Sequence, residues 1–173
     1  DLIGISGVDT RRLTRRIRDG GAPTGVIAHA PDGRFDLEAL VAQARQWPGL
    51  EGMDLAKDVS CRQTYSWNEG MWKLGQGYAT QENPRHHVFA IDYGAKRNIL
   101  RSLVAFGADV TVLPATATAE EVLAHEPEGV FLSNGPGDPA ATGEYAVPMI
   151  QNLLDRDMPI FGICLGHQML ALA

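Results

Sequence analysis

Residues 159–168 read Pro-Ile-Phe-Gly-Ile-Cys-Leu-Gly-His-Gln, and no other stretch constrains the fold as tightly. A short apolar run ends at a Gly-x-Cys-x-Gly turn, and a new apolar segment, 165–173, follows at once. The pattern predicts a strand, a tight turn with Cys164 at its apex, and the start of a helix. Gly162 and Gly166 flank the cysteine because a nucleophile elbow needs small neighbours on both sides of a sharp, strained turn. The sulfur then stands over the first turn of a helix. Unpaired N–H groups and the helix dipole favour thiolate there, and thiolate is the reactive form.

The elbow closes a series of alternating strands and helices. Residues 87–92 form an apolar strand, and 95–106 a helix with Ile99, Leu100, Leu103 and Val104 facing inward and Gly107 placed to stop it. Residues 109–113 form the next strand, and Thr118 with Glu121 makes a capping box that opens a short helix. A strand at 129–133 leads into the loop 134–139, Asn-Gly-Pro-Gly-Asp-Pro. A helix over 144–156, with Pro148 near its first turn, and a strand over 159–163 complete the set. Strands that are apolar nearly throughout and alternate with helices predict an α/β fold, a parallel doubly wound sheet covered on both faces. Ligands bind such sheets at the strands' carboxyl ends, where Asp92, Asn134 and Cys164 fall.

The part before this is less regular. Asp9 or Thr10 caps a helix over 10–18 stopped by Gly20 and Gly21, and Asp36 caps a second with Leu37, Leu40, Val41 and Ala44 at core spacing. Residues 24–30 read as a strand. Residues 51–78 have weak periodicity and carry no firm assignment. The polar, Gly- and Pro-broken stretch 75–85 reads as a linker. The expected domains are therefore 1–80, a smaller α+β part, and 86–173.

With 45% hydrophobic and 21% charged residues the chain has the composition of a folded protein, and no apolar run reaches the length of a bilayer span. The net charge of -6 argues against nucleic acid or an anionic membrane as the main partner. Cys61 and Cys164 are the only cysteines, and their separation does not suggest a disulfide framework. A reducing, cytoplasmic setting is expected. No Cys/His spacing suggests a metal site, and no P-loop is present.

A thiolate that attacks a carbonyl creates an oxyanion, which needs preorganised donors. The N–H of Leu165, directly after the nucleophile, is one. The loop after the third strand offers a second through Gly135 or Gly137, where a backbone N–H can approach a ligand closely. Gln168 lies one helical turn beyond Cys164 and is expected to face the same pocket. His167 is poorly placed as a base, and His29, His86, His87 and His125 lie elsewhere. The arginines at 11, 12, 15, 16 and 18 read as a solvated helix face, and Trp47, Trp67 and Trp72 as packing residues.

FGICLGHQ at 161–168 and LSNGPGDP at 132–139 resemble the signatures of class I glutamine amidotransferases. DTRRLTRRIR at 9–18, PGLEGMDLAKDVS at 48–60 and DYGAKRNILR at 92–101 are similar to one branch of that family, the small chains of glutamine-hydrolysing carbamoyl-phosphate synthases. The resemblance covers nearly the whole chain. It implies that Cys164 attacks the side-chain amide of glutamine, releases ammonia and leaves a glutamyl thioester for water to hydrolyse. Gly135, Gly137, Leu165 and Gln168 match positions that bind glutamine or its oxyanion. No cofactor is implied in this chain. ATP and Mg are expected on the partner, the carbamoyl-phosphate synthase large chain. That chain would combine ammonia with bicarbonate to give carbamoyl phosphate for arginine and pyrimidine synthesis.

The family's catalytic histidine and its acidic partner stand in a His-Pro-Glu motif that this sequence does not contain. The expectation is an internal fragment without glutaminase activity of its own. Two other functions are compatible with the same residues: a silent docking or regulatory module, and another cysteine hydrolase such as a gamma-glutamyl peptidase.

Overall fold

The computed structural model describes residues 4–173. The chain divides into two compact units, Asp1–Gly49 and Leu50–Ala173. The first contains helices α1 (Thr10–Gly20) and α2 (Leu37–Gln46). Both begin at the expected aspartates: the Asp9 carboxylate accepts from Arg12 N–H, and that of Asp36 from Ala39 N–H. The apolar positions on these helices are not buried, however. Leu37 is 69% exposed and Leu13 52%, and no described residue up to Gly49 is buried. Residues 24–30 are not a strand. Their β-branched composition suits a strand, but a strand exists only through a ladder partner, and the described residues provide none.

The second unit holds α3 (Leu55–Val59), β1 (Tyr65–Trp67), β2 (Glu69–Lys73), β3 (Gly77–Thr80), β4 (His86–Asp92), α4 (Arg97–Ala105), β5 (Ala108–Pro114), α5 (Ala119–Leu123), β6 (Gly129–Leu132), α6 (Pro139–Leu154), β7 (Ile160–Gly162) and α7 (Leu165–Leu172). Five strands form the main sheet in the order β1-β5-β4-β6-β7. β4 to β7 run parallel, as their composition predicts, and β1 adds an antiparallel edge against β5. β2 and β3 form a separate hairpin whose β2 strand packs on α4. The stretch 75–85, expected as a linker, thus lies inside this unit as the hairpin's turn, β3 and the lead into β4. The boundary between units falls instead at Gly49 and Leu50.

Alternate residues of β4, with Tyr93 directly after it, point into two cores. Phe89, Ile91 and Tyr93 meet Val122, Ile150, Leu153, Leu165 and Met169 on the face covered by α5, α6 and α7. Ala90 meets Leu100, Val104, Val110 and Val112 on the face covered by α4. The sheet is therefore sandwiched between helices. Side chains as buried as Leu100 and Ile150 each stabilise it by about 2 kcal/mol. α5 opens on the Thr118/Glu121 capping box with both reciprocal bonds formed.

One helix differs in extent. α6 begins at Pro139, five residues before the expected start, because Asp138 caps it by accepting from Ala140 N–H at 2.9 Å and Pro139 supplies a preset φ in its first turn. Pro148 consequently sits mid-helix rather than near the first turn. It has no N–H to give the helix ladder there, and it faces solvent.

Candidate active site

Cys164 occupies the junction of β7 and α7 and is exposed. Its backbone has φ 54° and ψ -112°, a strained conformation for a residue with a Cβ. The flanking glycines are dictated by close approach. A Cβ on Gly162 would stand 2.6 Å from the Gly166 carbonyl, and one on Gly166 would stand 2.2 Å from Leu132 O. The elbow is stitched to the end of β6 by Ile163 N–H to Leu132 O and Gly166 N–H to Ser133 O, both 3.0 Å. The Gly-Pro-Gly loop continues directly from Ser133, so elbow and loop share one end of the sheet.

The loops after β4 and β6 are laced together. Ser133 Oγ accepts from Tyr93 N–H at 2.8 Å and donates to Asn134 O. Asn134 Oδ1 accepts from Lys96 N–H, and its Nδ2 donates to Gly94 O. Asp92 is buried, and its carboxylate accepts from the N–H groups of Cys61, Gly94 and Ala95. The strand-end residues Asp92 and Asn134 therefore hold loops in place, and of the three only Cys164 presents a free reactive group.

Gly135 passes so close to Tyr93 that a Cβ would meet its carbonyl oxygen at 2.1 Å. Gly137 lies at φ 102°, and its missing Cβ leaves room for Met53 O and Leu55 N. Both glycines are thus required by packing against neighbouring backbone. Among the described residues, the N–H groups of Gly135, Gly137 and Leu165 have no acceptor, whereas Gly166 and Gln168 donate to Ser133 O and Cys164 O.

The family model for class-I glutamine amidotransferases matches residues 89–173, the stretch from within β4 through α7. This stretch belongs to the class-I glutamine amidotransferase family. Over 172 residues, 99% of the chain, the sequence is also 71% identical to a carbamoyl phosphate synthase small chain of Ruegeria pomeroyi, 63% to one of Caulobacter vibrioides and 64% to one of Brucella anthropi. The chain spans about 44% of the length of the first two relatives and 42% of the third.

In this amidotransferase segment, Gln168 and His167 are exposed on the first turns of α7, and Leu165 is buried beneath the elbow. The other imidazoles of the unit are engaged away from the elbow: His86 faces Glu128, His87 lies 3.4 Å from Thr111 Oγ1, and His125 tilts against Phe89. Cys61 differs from Cys164 in kind. Burial and then the Asp92 carboxylate push its thiol up to about 11. A concavity of about 570 Å³ lies at the carboxyl end of β5 between Arg62 and His125, and Cys164 is not part of its lining.

Sequence reasoning missed Ser133, Asp138 and the segment 52–55. Asp138 was legible, since an aspartate directly before a proline is a helix-start signature. Ser133 and 52–55 act largely through backbone partners distant in sequence, which leave no local pattern. Among the described residues, no helix is long and apolar enough to cross a membrane.

Proposed function

We propose that this chain contributes the nucleophile and oxyanion donors of a glutaminase site in a carbamoyl-phosphate synthase small chain. The observation that carries the reading is the strained, exposed Cys164 at a Gly-x-Cys-x-Gly elbow, at the same end of the sheet as a loop whose Gly135 and Gly137 N–H groups have no acceptor among the described residues. Cys164 Sγ, as thiolate, attacks the side-chain carboxamide carbon of glutamine. The carbonyl oxygen becomes an oxyanion, stabilised by the N–H of Leu165 and by that of Gly135 or Gly137. Collapse of the tetrahedral intermediate expels the amide nitrogen, which takes up a proton and leaves as ammonia, and a glutamyl thioester remains. Water then adds to the thioester, and the intermediate releases glutamate and the thiolate. Gln168, one turn along α7, contacts the substrate.

The three relatives are named as small chains of carbamoyl phosphate synthase, which supports ammonia transfer to a large synthetase chain. That partner consumes the ammonia with bicarbonate and ATP. The role of this chain is to generate ammonia where the partner can use it.

The test is Cys164→Ala in the full-length polypeptide assembled with its large chain. Glutamine-dependent ammonia release should be lost, while synthesis from added ammonium persists, because free ammonia bypasses the thiol. Glutamine hydrolysis that survives the substitution refutes the reading.

A further inference from the structure

The fold gives the stretch 50–60, which has no firm assignment from periodicity, a place against the candidate oxyanion loop. Gly52 N–H donates to Asp138 Oδ2 at 2.7 Å. Asp138 N–H donates to Met53 O at 2.9 Å. Asp54 Oδ1 accepts from Thr142 Oγ1 at 3.3 Å and from the Tyr145 hydroxyl at 3.1 Å, both on α6. Lys57 Nζ lies 3.2 Å from Asp54 Oδ2 and 4.3 Å from the centre of the Tyr145 ring. Burial, then the Asp54 carboxylate, pushes the Tyr145 hydroxyl upward, so it remains a donor. The bonds from Gly52 to Asp138 and from Thr142 and Tyr145 to Asp54 join residues 86 to 91 apart in the chain. Between them Gly137 is pressed onto Met53 O and Leu55 N with no space for a Cβ.

We propose that residues 52–55 form a strap across the loop 134–138, and that Asp138 and Asp54 are positioning residues that aim the N–H groups of Gly135 and Gly137. The inference rests on the glutaminase reading and deepens it. Asp138 does two jobs with two oxygens. One caps α6 at Ala140 N–H, which any good cap performs, and the other holds the strap at Gly52 N–H. Asparagine separates the two jobs. Its amide oxygen caps a helix as well as a carboxylate does, but its NH2 group then confronts the Gly52 N–H, donor against donor. A strap matters because oxyanion donors act in the transition state and are sensitive to small misplacement.

The experiment compares Asp138→Asn, Tyr145→Phe and Cys164→Ala in the full-length polypeptide with its large chain. For Asp138→Asn the kcat of glutamine hydrolysis should fall about tenfold, with the KM for glutamine within about twofold and synthesis from ammonium unchanged, the signature of a contact expressed in the transition state. Tyr145→Phe, which removes one hydroxyl from the strap, should lower kcat about threefold in the same pattern. An Asp138→Asn enzyme with the parent's kcat would reduce Asp138 to a helix cap and overturn the proposal. So would a rise in KM alone, and if Asp138→Asn does not fold, an unchanged kcat in Tyr145→Phe does the same. Cys164→Ala tells the two levels apart. If it retains hydrolysis, the glutaminase reading fails; if it is inactive while both strap variants match the parent, only the strap fails.

Discussion

At the scale of single residues, the two cysteines predict opposite chemistry. Cys164 is exposed at the apex of a strained turn, whereas Cys61 is half-buried beside the Asp92 carboxylate. With its thiol pushed up to about 11, Cys61 carries little thiolate near neutral pH. A glutamine-like alkylating agent at pH 7.5 should therefore modify Cys164 first, and Cys61 labelling should climb only as pH approaches 11. Peptide mapping after a timed exposure reads this directly; Cys61 labelled ahead of Cys164 at pH 7.5 would contradict it. Gly166 supports a second prediction. An added methyl meets the Leu132 carbonyl oxygen at 2.2 Å, and backbone cannot swing aside as a flexible side chain does. Gly166→Ala should cost about 3 kcal/mol in denaturant unfolding and displace the elbow. A variant as stable as the parent would show that α7 is free to move away from β6.

At the scale of elements, the sequence was informative where caps and burial agree. Thr118 and Glu121 marked α5, Asp36 marked α2, and the apolar runs at β4 to β7 predicted parallel strands because both of their faces are covered. It was misleading where burial was missing: α2 forms, yet its Leu37 and Val41 lie open to solvent and Leu40 is only half-buried, because periodicity reports a face and not what covers it. The start of α6 turns on Asp138, whose carboxylate is held below the usual range first by the Gly52 N–H and then by the Ala140 N–H. A carboxylate depressed in the folded chain contributes fully above the unfolded value of about 3.9 and loses that contribution as pH falls through the folded value. Asp138→Ala should therefore unfold earlier than the parent by a constant margin from pH 7 to 5, and the margin should close below about pH 4. A margin unchanged at pH 2.5 would mean that the carboxylate's charge plays no part.

At the scale of the whole molecule, the legible part of the site was the part made by local backbone. Cys164 and its glycines are fixed by a turn of five residues, so the pattern survives in sequence. The strap at 52–55 is made across more than eighty residues by the Gly52 N–H, the Met53 carbonyl and the carboxylates of Asp138 and Asp54, and only the folded chain shows it. The same view gives a prediction about association. The main sheet ends at β7, a three-residue strand with no partner on its outer side among the described residues. Phe161 on that edge is 63% exposed, with its ring 6.1 Å from that of Phe131. An apolar side chain on an open strand edge invites pairing with another strand, and an edge lysine opposes it through charge and hydration. The purified 173-residue chain should therefore associate as its concentration rises, and Phe161→Lys should shift the distribution toward monomer without loss of helix content. Sedimentation velocity over a concentration series separates the outcomes. If the parent chain stays monomeric throughout, or associates equally with lysine at 161, the β7 edge is not the adhesive surface.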